Sequence, residues 1–185
     1  MIDAAVAAIR EGRVVGLPTD TVYGLAVDPL NETAVGRLFE IKGRPEHKPV
    51  GILAASIEQA ALIGEIEGEA LRLATQHWPG ALTLIVIPRV ILAGWVGDAQ
   101  RRTVGIRVPD HVLARRLIEE TGPLAVTSAN VSGGREVVDA QEAEEVFGEA
   151  VAEYLPGVSP GGEASTVVDA SGAHLAVLRS GPIEI

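Results

Sequence analysis

TVGIRVPDHVLARRLIEETGPLAVTS, residues 103–128, decides the fold class. Its first six residues alternate. Val104, Ile106 and Val108 share one face of a strand, and Thr103, Gly105 and Arg107 share the other. Pro109 ends that run, and Asp110 stands where a helix N-cap is expected before HVLARRLIEE. Gly122 and Pro123 stop the helix, and PLAVT resumes as a second β-rich run. Strand, helix and strand thus follow one another within a short span.

The same alternation extends outward in both directions. Residues 2–11 place Ile2, Val6 and Ile9 at helical spacing, and RVVGL then reads as a buried strand ending at Pro18. Residues 32–41 predict an amphipathic helix and VGILAA a strand, with Ser56 and Gln59 spaced as a capping box. A helix over 67–77 closes at Trp78-Pro79-Gly80, and ALTLIVI supplies a further strand. Beyond residue 128, Asp139 caps AQEAEEVFG, and STVVD and LAVL are the last β runs. The pattern predicts one α/β domain over residues 1–185, its sheet largely buried. GVSPGG, Gly157–Gly162, is the segment expected to be a mobile loop.

Composition narrows the function. The chain has 185 residues, 47% apolar and only 3% aromatic, so small aliphatics must fill its core. No cysteine is present, which excludes disulfides, thiolate metal sites and a cysteine nucleophile. The start lacks the basic opening of a secretory signal, and the apolar stretch 80–97 is broken by Pro88 and Arg89. A cytoplasmic protein without a membrane span is expected. Net charge is −10, which argues against a general nucleic-acid surface. Positive charge is concentrated: Lys42 and Lys48, the only lysines, flank Arg44 and His47. Walker and dinucleotide glycine loops are missing, as are a nucleophile elbow and any close pair among the four histidines.

Four polar clusters sit where apolar runs end, the usual place for ligands in an open α/β sheet. Pro18-Thr19-Asp20-Thr21 follows RVVGL and reads equally as a capped turn or as a ligand loop. Lys42–Pro49 (KGRPEHKP) is either a solvated charged loop or a phosphate cradle, Arg supplying a planar fork and Lys a point charge. Thr127–Gly134 (TSANVSGG) combines hydroxyls, an amide and paired glycines. Arg107, on a strand between apolar neighbours, needs an anionic partner, either a protein carboxylate or a substrate. Alternation places Leu175, Val177 and Arg179 on one face, giving a second cation on a β run.

PTDTVYGL (Pro18–Leu25), KGRPEHKP, WPGALTLI (Trp78–Ile85), VGIRVPDH (Val104–His111), TSANVSGG and STVVD (Ser165–Asp169) together resemble the YrdC/Sua5 family, in that family's order. Its paired Lys-x-Arg and Ser-x-Asn appear as Lys42/Arg44 and Ser128/Asn130. The resemblance implies a twisted, open, mixed sheet flanked by helices. It also implies threonylcarbamoyl-AMP synthase activity, making threonylcarbamoyl-adenylate and pyrophosphate from L-threonine, bicarbonate and ATP. Other proteins then transfer the threonylcarbamoyl group to tRNA, and the acidic chain argues against direct tRNA contact by this one. Catalytic roles fall on Lys42 and Arg44. ATP would be held by Lys42, Arg44, Lys48, Thr103, Ser128, Asn130 and Arg179, and threonine by Thr21, Arg107 and Ser165. Magnesium would arrive with ATP, no protein ligand being assigned.

The chain resembles the short form of the family, without the extra C-terminal domain of longer members. Two departures stand out: Leu53 occupies a position where longer relatives often carry a histidine, and Ala164 is inserted before Ser165. The competing readings are a YciO-like paralogue, an RNA-binding module, and a carbamoyl-transfer domain like that within the hydrogenase maturation protein HypF.

Overall fold

The computed structural model describes residues 1–43, 49–131, 133–135, 137–161 and 163–185. Among these residues nine strands form one sheet: β1 (Val15–Leu17), β2 (Gly24–Val27), β3 (Gly51–Leu53), β4 (Leu82–Val86), β5 (Val104–Arg107), β6 (Leu124–Ser128), β7 (Glu153–Tyr154), β8 (Thr166–Asp169) and β9 (Ala176–Arg179). Their order is β7-β1-β2-β6-β3-β5-β4-β8-β9, with parallel and antiparallel pairs mixed. The sheet is open, as expected. Six α-helices accompany it among the described residues: α1 (Ile2–Arg10), α2 (Glu32–Lys42), α3 (Ile57–Ile63), α4 (Gly68–His77), α5 (Val112–Thr121) and α6 (Ala140–Phe147). No described helix is long and apolar enough to cross a membrane.

Helices cover both faces of the sheet, but unequally. On one face, Leu38 and Phe39 of α2, Leu73 of α4 and Phe147 of α6 bury Leu25, Ile52, Leu84, Ile106 and Val168. That cover runs across nearly the whole sheet. On the other face, Ile9 of α1 and Leu117 and Ile118 of α5 pack on Val15, Leu17, Ala26, Leu53 and Leu124. The second cluster stops at β3 and β6. Beyond it the same face of β5, β4 and β8 has no buried apolar partner among the described residues, and the cavity described below opens there.

Local chemistry accounts for the ends of several helices. Asn31 caps α2 by accepting from Ala34 N at 3.0 Å, and Gly43 closes it in the left-handed conformation (φ 56°) that favours glycine. Asp139 caps α6 as expected, accepting from Glu142 N at 2.8 Å. Ser56 accepts from Gln59 N at 3.2 Å, but the Gln59 side chain accepts from Ala55 N rather than completing the expected capping box at Ser56.

Four expectations need correction. The N-cap of α5 is His111, not Asp110, and it makes no side-chain cap bond. GLAV, β2, is a central strand that sequence reading passed over, as it also passed over the two-residue β7. GVSPGG is tied down within its described part: Ser159 N donates to Val138 O at 2.7 Å, its hydroxyl accepts from Thr19 N at 3.0 Å, and Gly161 N donates to Thr21 O at 2.7 Å. Finally, Val168 pairs with Val177 but Val167 pairs with Arg179. Leu178 is the extra residue of a β-bulge, so Arg179 does not share the face of Leu175 and Val177.

Candidate active site

Alternation along five neighbouring strands builds the floor of one cavity of about 370 Å³. Val126 and Ser128 of β6, Gly51 and Leu53 of β3, Gly105 and Arg107 of β5, Thr83 and Ile85 of β4, and Val167 of β8 all face it. Their sequence neighbours Ile52, Ile106, Leu84 and Val168 face the opposite core. Gly105 keeps the middle of the floor low. A Cβ there would stand 3.2 Å from both Ile85 Cδ1 and Thr83 Cγ2.

Thr21, Thr103, Arg107, Ser128, Ser165 and Arg179 all line this cavity. Residues from five separate stretches of chain therefore meet at one cavity. Lys42 and Asn130 stand behind the wall rather than lining it. Arg44 and Lys48 lie outside the described residues.

Arg107 is the buried cation of the site. It donates from Nη2 to Asp20 Oδ1, from Nη1 to Thr21 Oγ1 at 2.9 Å, and from Nε to Gly80 O at 3.0 Å. Burial pulls its pKa down, while the Asp20 carboxylate opposes that pull. Of the two open readings for Arg107, the protein carboxylate is realised here. Three of its five N–H donors are engaged, which leaves one on each terminal nitrogen for a ligand. Thr21 is held in turn by Thr19, whose hydroxyl shares a hydrogen bond with the Thr21 hydroxyl at 3.1 Å. His111 is a further titratable group near Asp20. Burial lowers its pKa, with Asp20 and Asp110 pulling the other way.

The opposite wall is built around Ser165. Its hydroxyl shares a 2.7 Å hydrogen bond with Thr83 Oγ1 and accepts from Arg179 Nη2 at 3.1 Å, while Arg179 Nε donates to Ser165 O at 2.9 Å. The bulge at Leu178 brings Arg179 to this side of the sheet. The connection after β4 forms a third wall, where Asp98 and Thr103 exchange backbone hydrogen bonds at 2.7 and 3.1 Å. Arg101 ties this segment to β8 by donating to Asp169 Oδ2 at 2.6 Å. Burial alone would raise the Asp169 pKa, but hydrogen bonds from Ser171 and Arg101 outweigh it and hold the carboxyl below its ordinary value.

Sequence reasoning missed Asp20 as the partner of Arg107, and Thr83 altogether. Alternation in ALTLIVI does place Thr83 and Ile85 on one face, so the signal for Thr83 was present. The Asp20–Arg107 contact joins residues 87 positions apart and had none. No group of three or more His, Cys, Asp or Glu side chains able to hold a metal occurs among the described residues. Leu53 lines the cavity.

Comparison with known proteins agrees with this geometry. The Sua5/YciO/YrdC family model, described as "Telomere recombination", matches residues 7–181. A threonylcarbamoyl-AMP synthase of Vibrio parahaemolyticus is 34% identical over 179 residues, covering 94% of this chain and 95% of its own. The structure of Pyrococcus abyssi Sua5 complexed with L-threonine superposes with a TM-score of 0.90 at 39% identity, over 97% of this chain and 54% of that one. This chain thus spans about half the length of the archaeal protein. Escherichia coli YciO superposes with a TM-score of 0.89 at 25% identity, over 99% of this chain and 90% of that one. With the family's ordered blocks converging on one cavity, the chain belongs to the Sua5/YciO/YrdC family.

Proposed function

We propose that this chain is a threonylcarbamoyl-AMP synthase. The observation that carries the reading is a single cavity with a buried arginine at one wall and hydroxyls and a second arginine at the others. An amino acid needs a cation for its carboxylate, and the two uncommitted donors of Arg107 suit a carboxylate, with Thr21 and Ser165 as neighbouring hydroxyls. Arg179, Thr103 and Ser128 would meet the nucleotide, with Arg44 and Lys48 at its phosphates. Relatives named for this activity include one of nearly the same length as this chain.

In the proposed reaction the threonine amine, having lost its proton to bicarbonate or water, attacks the bicarbonate carbon. Water leaves and a carbamate forms. A carbamate oxygen then attacks the α-phosphorus of ATP, and the bond to the β-phosphate oxygen breaks to release pyrophosphate. Positioning and charge stabilisation supply the catalysis. Magnesium would enter with ATP, held mainly by phosphate oxygens and water. The product would pass, in the cytoplasm, to proteins that modify tRNA.

Pyrophosphate release from ATP, with L-threonine and bicarbonate each omitted in turn, tests the reading. Release that requires both is the expected result. Release without either, or none under any condition, would overturn it in favour of a YciO-like paralogue, whose close superposition makes it the specific rival.

A further inference from the structure

We propose that Lys42 is a positioning residue that fixes the Ser128–Gly134 loop through Asn130, and not a ligand of the phosphates. The inference deepens the synthase reading and rests on it for the identity of the nucleotide. Lys42 closes α2 with 1% of its surface exposed, and it is not among the residues lining the cavity. Its ammonium donates to Ser128 O, to Asn130 O at 2.6 Å and, more weakly, to Asn130 Oδ1 at 3.4 Å. An ammonium has three protons and no lone pair, and these acceptors are all protein oxygens of one loop. A buried ammonium also needs compensation in place, and the two carbonyl dipoles and the amide oxygen supply it.

Asn130 completes the arrangement. Its Oδ1 accepts from Ser128 Oγ at 2.6 Å, and its Nδ2 donates to Val131 O at 3.1 Å and Gly134 O at 2.9 Å. One side chain thus gathers both ends of the loop while Lys42 holds its start. Moving the ammonium to a phosphate would strip Ser128 O and Asn130 O of a charged donor. The arrangement also orients Ser128. With its proton given to Asn130, the hydroxyl turns lone pairs toward the cavity and favours a donor group of the ligand, such as a ribose hydroxyl or an amino group, over a phosphate oxygen.

The test uses Lys42→Met, Asn130→Ala and the double variant. Calorimetric binding of AMP and of ATP is measured, with amide hydrogen exchange across 128–135 in the ligand-free proteins. The expected result is a loss of about tenfold in affinity for AMP and ATP alike. The double variant should be no more than about twofold worse than the weaker single. Exchange should accelerate at described loop amides in each variant. Loss of ATP affinity with AMP affinity kept would overturn the proposal and make Lys42 a phosphate ligand. Multiplying single effects with unchanged loop exchange would overturn it too. Should Lys42→Met fail to fold, Asn130→Ala carries the same test, and unchanged exchange there is equally decisive against it. Wild-type protein that binds neither nucleotide would defeat the synthase reading instead, and the exchange comparison would still decide the role of Lys42.

Discussion

Asp20→Asn perturbs the site at its enclosed ion pair. The mutation keeps the shape of the side chain and removes the carboxylate that faces Arg107. The pair is largely enclosed, with 16% of the Asp20 side chain and 8% of the Arg107 side chain exposed. Breaking a fully buried pair costs about 3–5 kcal/mol, and an exposed one about 0–1 kcal/mol. Partial access of Asp20 to water places this pair between those limits, at about 2–3 kcal/mol. The loss is expected because the guanidinium stays buried after its compensating charge is gone. For a chain of this length that corresponds to a fall in Tm of about 4–12 °C.

The assay is urea unfolding near pH 7 on wild type, Asp20→Asn, Arg107→Met and the double variant. Arg107→Met should also destabilise, by about 1–3 kcal/mol, because it strands Asp20 and leaves Thr21 Oγ1 and Gly80 O without their donor. The double variant should cost less than the sum of the singles by at least about 1 kcal/mol, since neither charge is then left alone. Strict additivity, or a loss under about 0.5 kcal/mol for Asp20→Asn, would refute the view that this pair holds the arginine in place.

Three further outcomes follow from the same geometry. Tyr23→Phe removes the donor to Leu155 O, a buried hydrogen bond of 2.7 Å, and should cost about 1–3 kcal/mol in the same unfolding assay. Gly105→Val raises the cavity floor against Ile85 Cδ1 and Thr83 Cγ2, each 3.2 Å from an added Cβ, so pyrophosphate release should fall more than about tenfold while stability changes by no more than about 1–3 kcal/mol. Asp169 is held below its ordinary value of 3.8, so its contribution is fully present above that pH and is lost as pH falls through the lower folded value. Ser171→Ala should therefore lower stability near pH 7 and make progressively less difference as pH falls through the folded value, as acid titration of unfolding would show.

The sequence by itself determined whatever depends on near neighbours along the chain. Alternation in TVGIRV put Thr103, Gly105 and Arg107 on one face, and all three line the cavity. The cap at Asp139 is three residues from its partner, a distance that residue type alone can specify. The ordered blocks pointed to the family, because turn glycines and strand-end polar residues leave local marks. Tertiary structure decided the rest. GLAV is apolar without periodicity, and only its pairing with β1 and β6 makes it a central strand. Strict alternation failed at Arg179, because a bulge is set by the register of the partner strand and not by the residues in it. Whether Arg107 meets a carboxylate or Lys42 a carbonyl depends on segments 87 and 86 residues away, brought together by the strand order β2-β6-β3-β5. Such contacts arise from closing long loops onto a common sheet, and no short-range pattern encodes them.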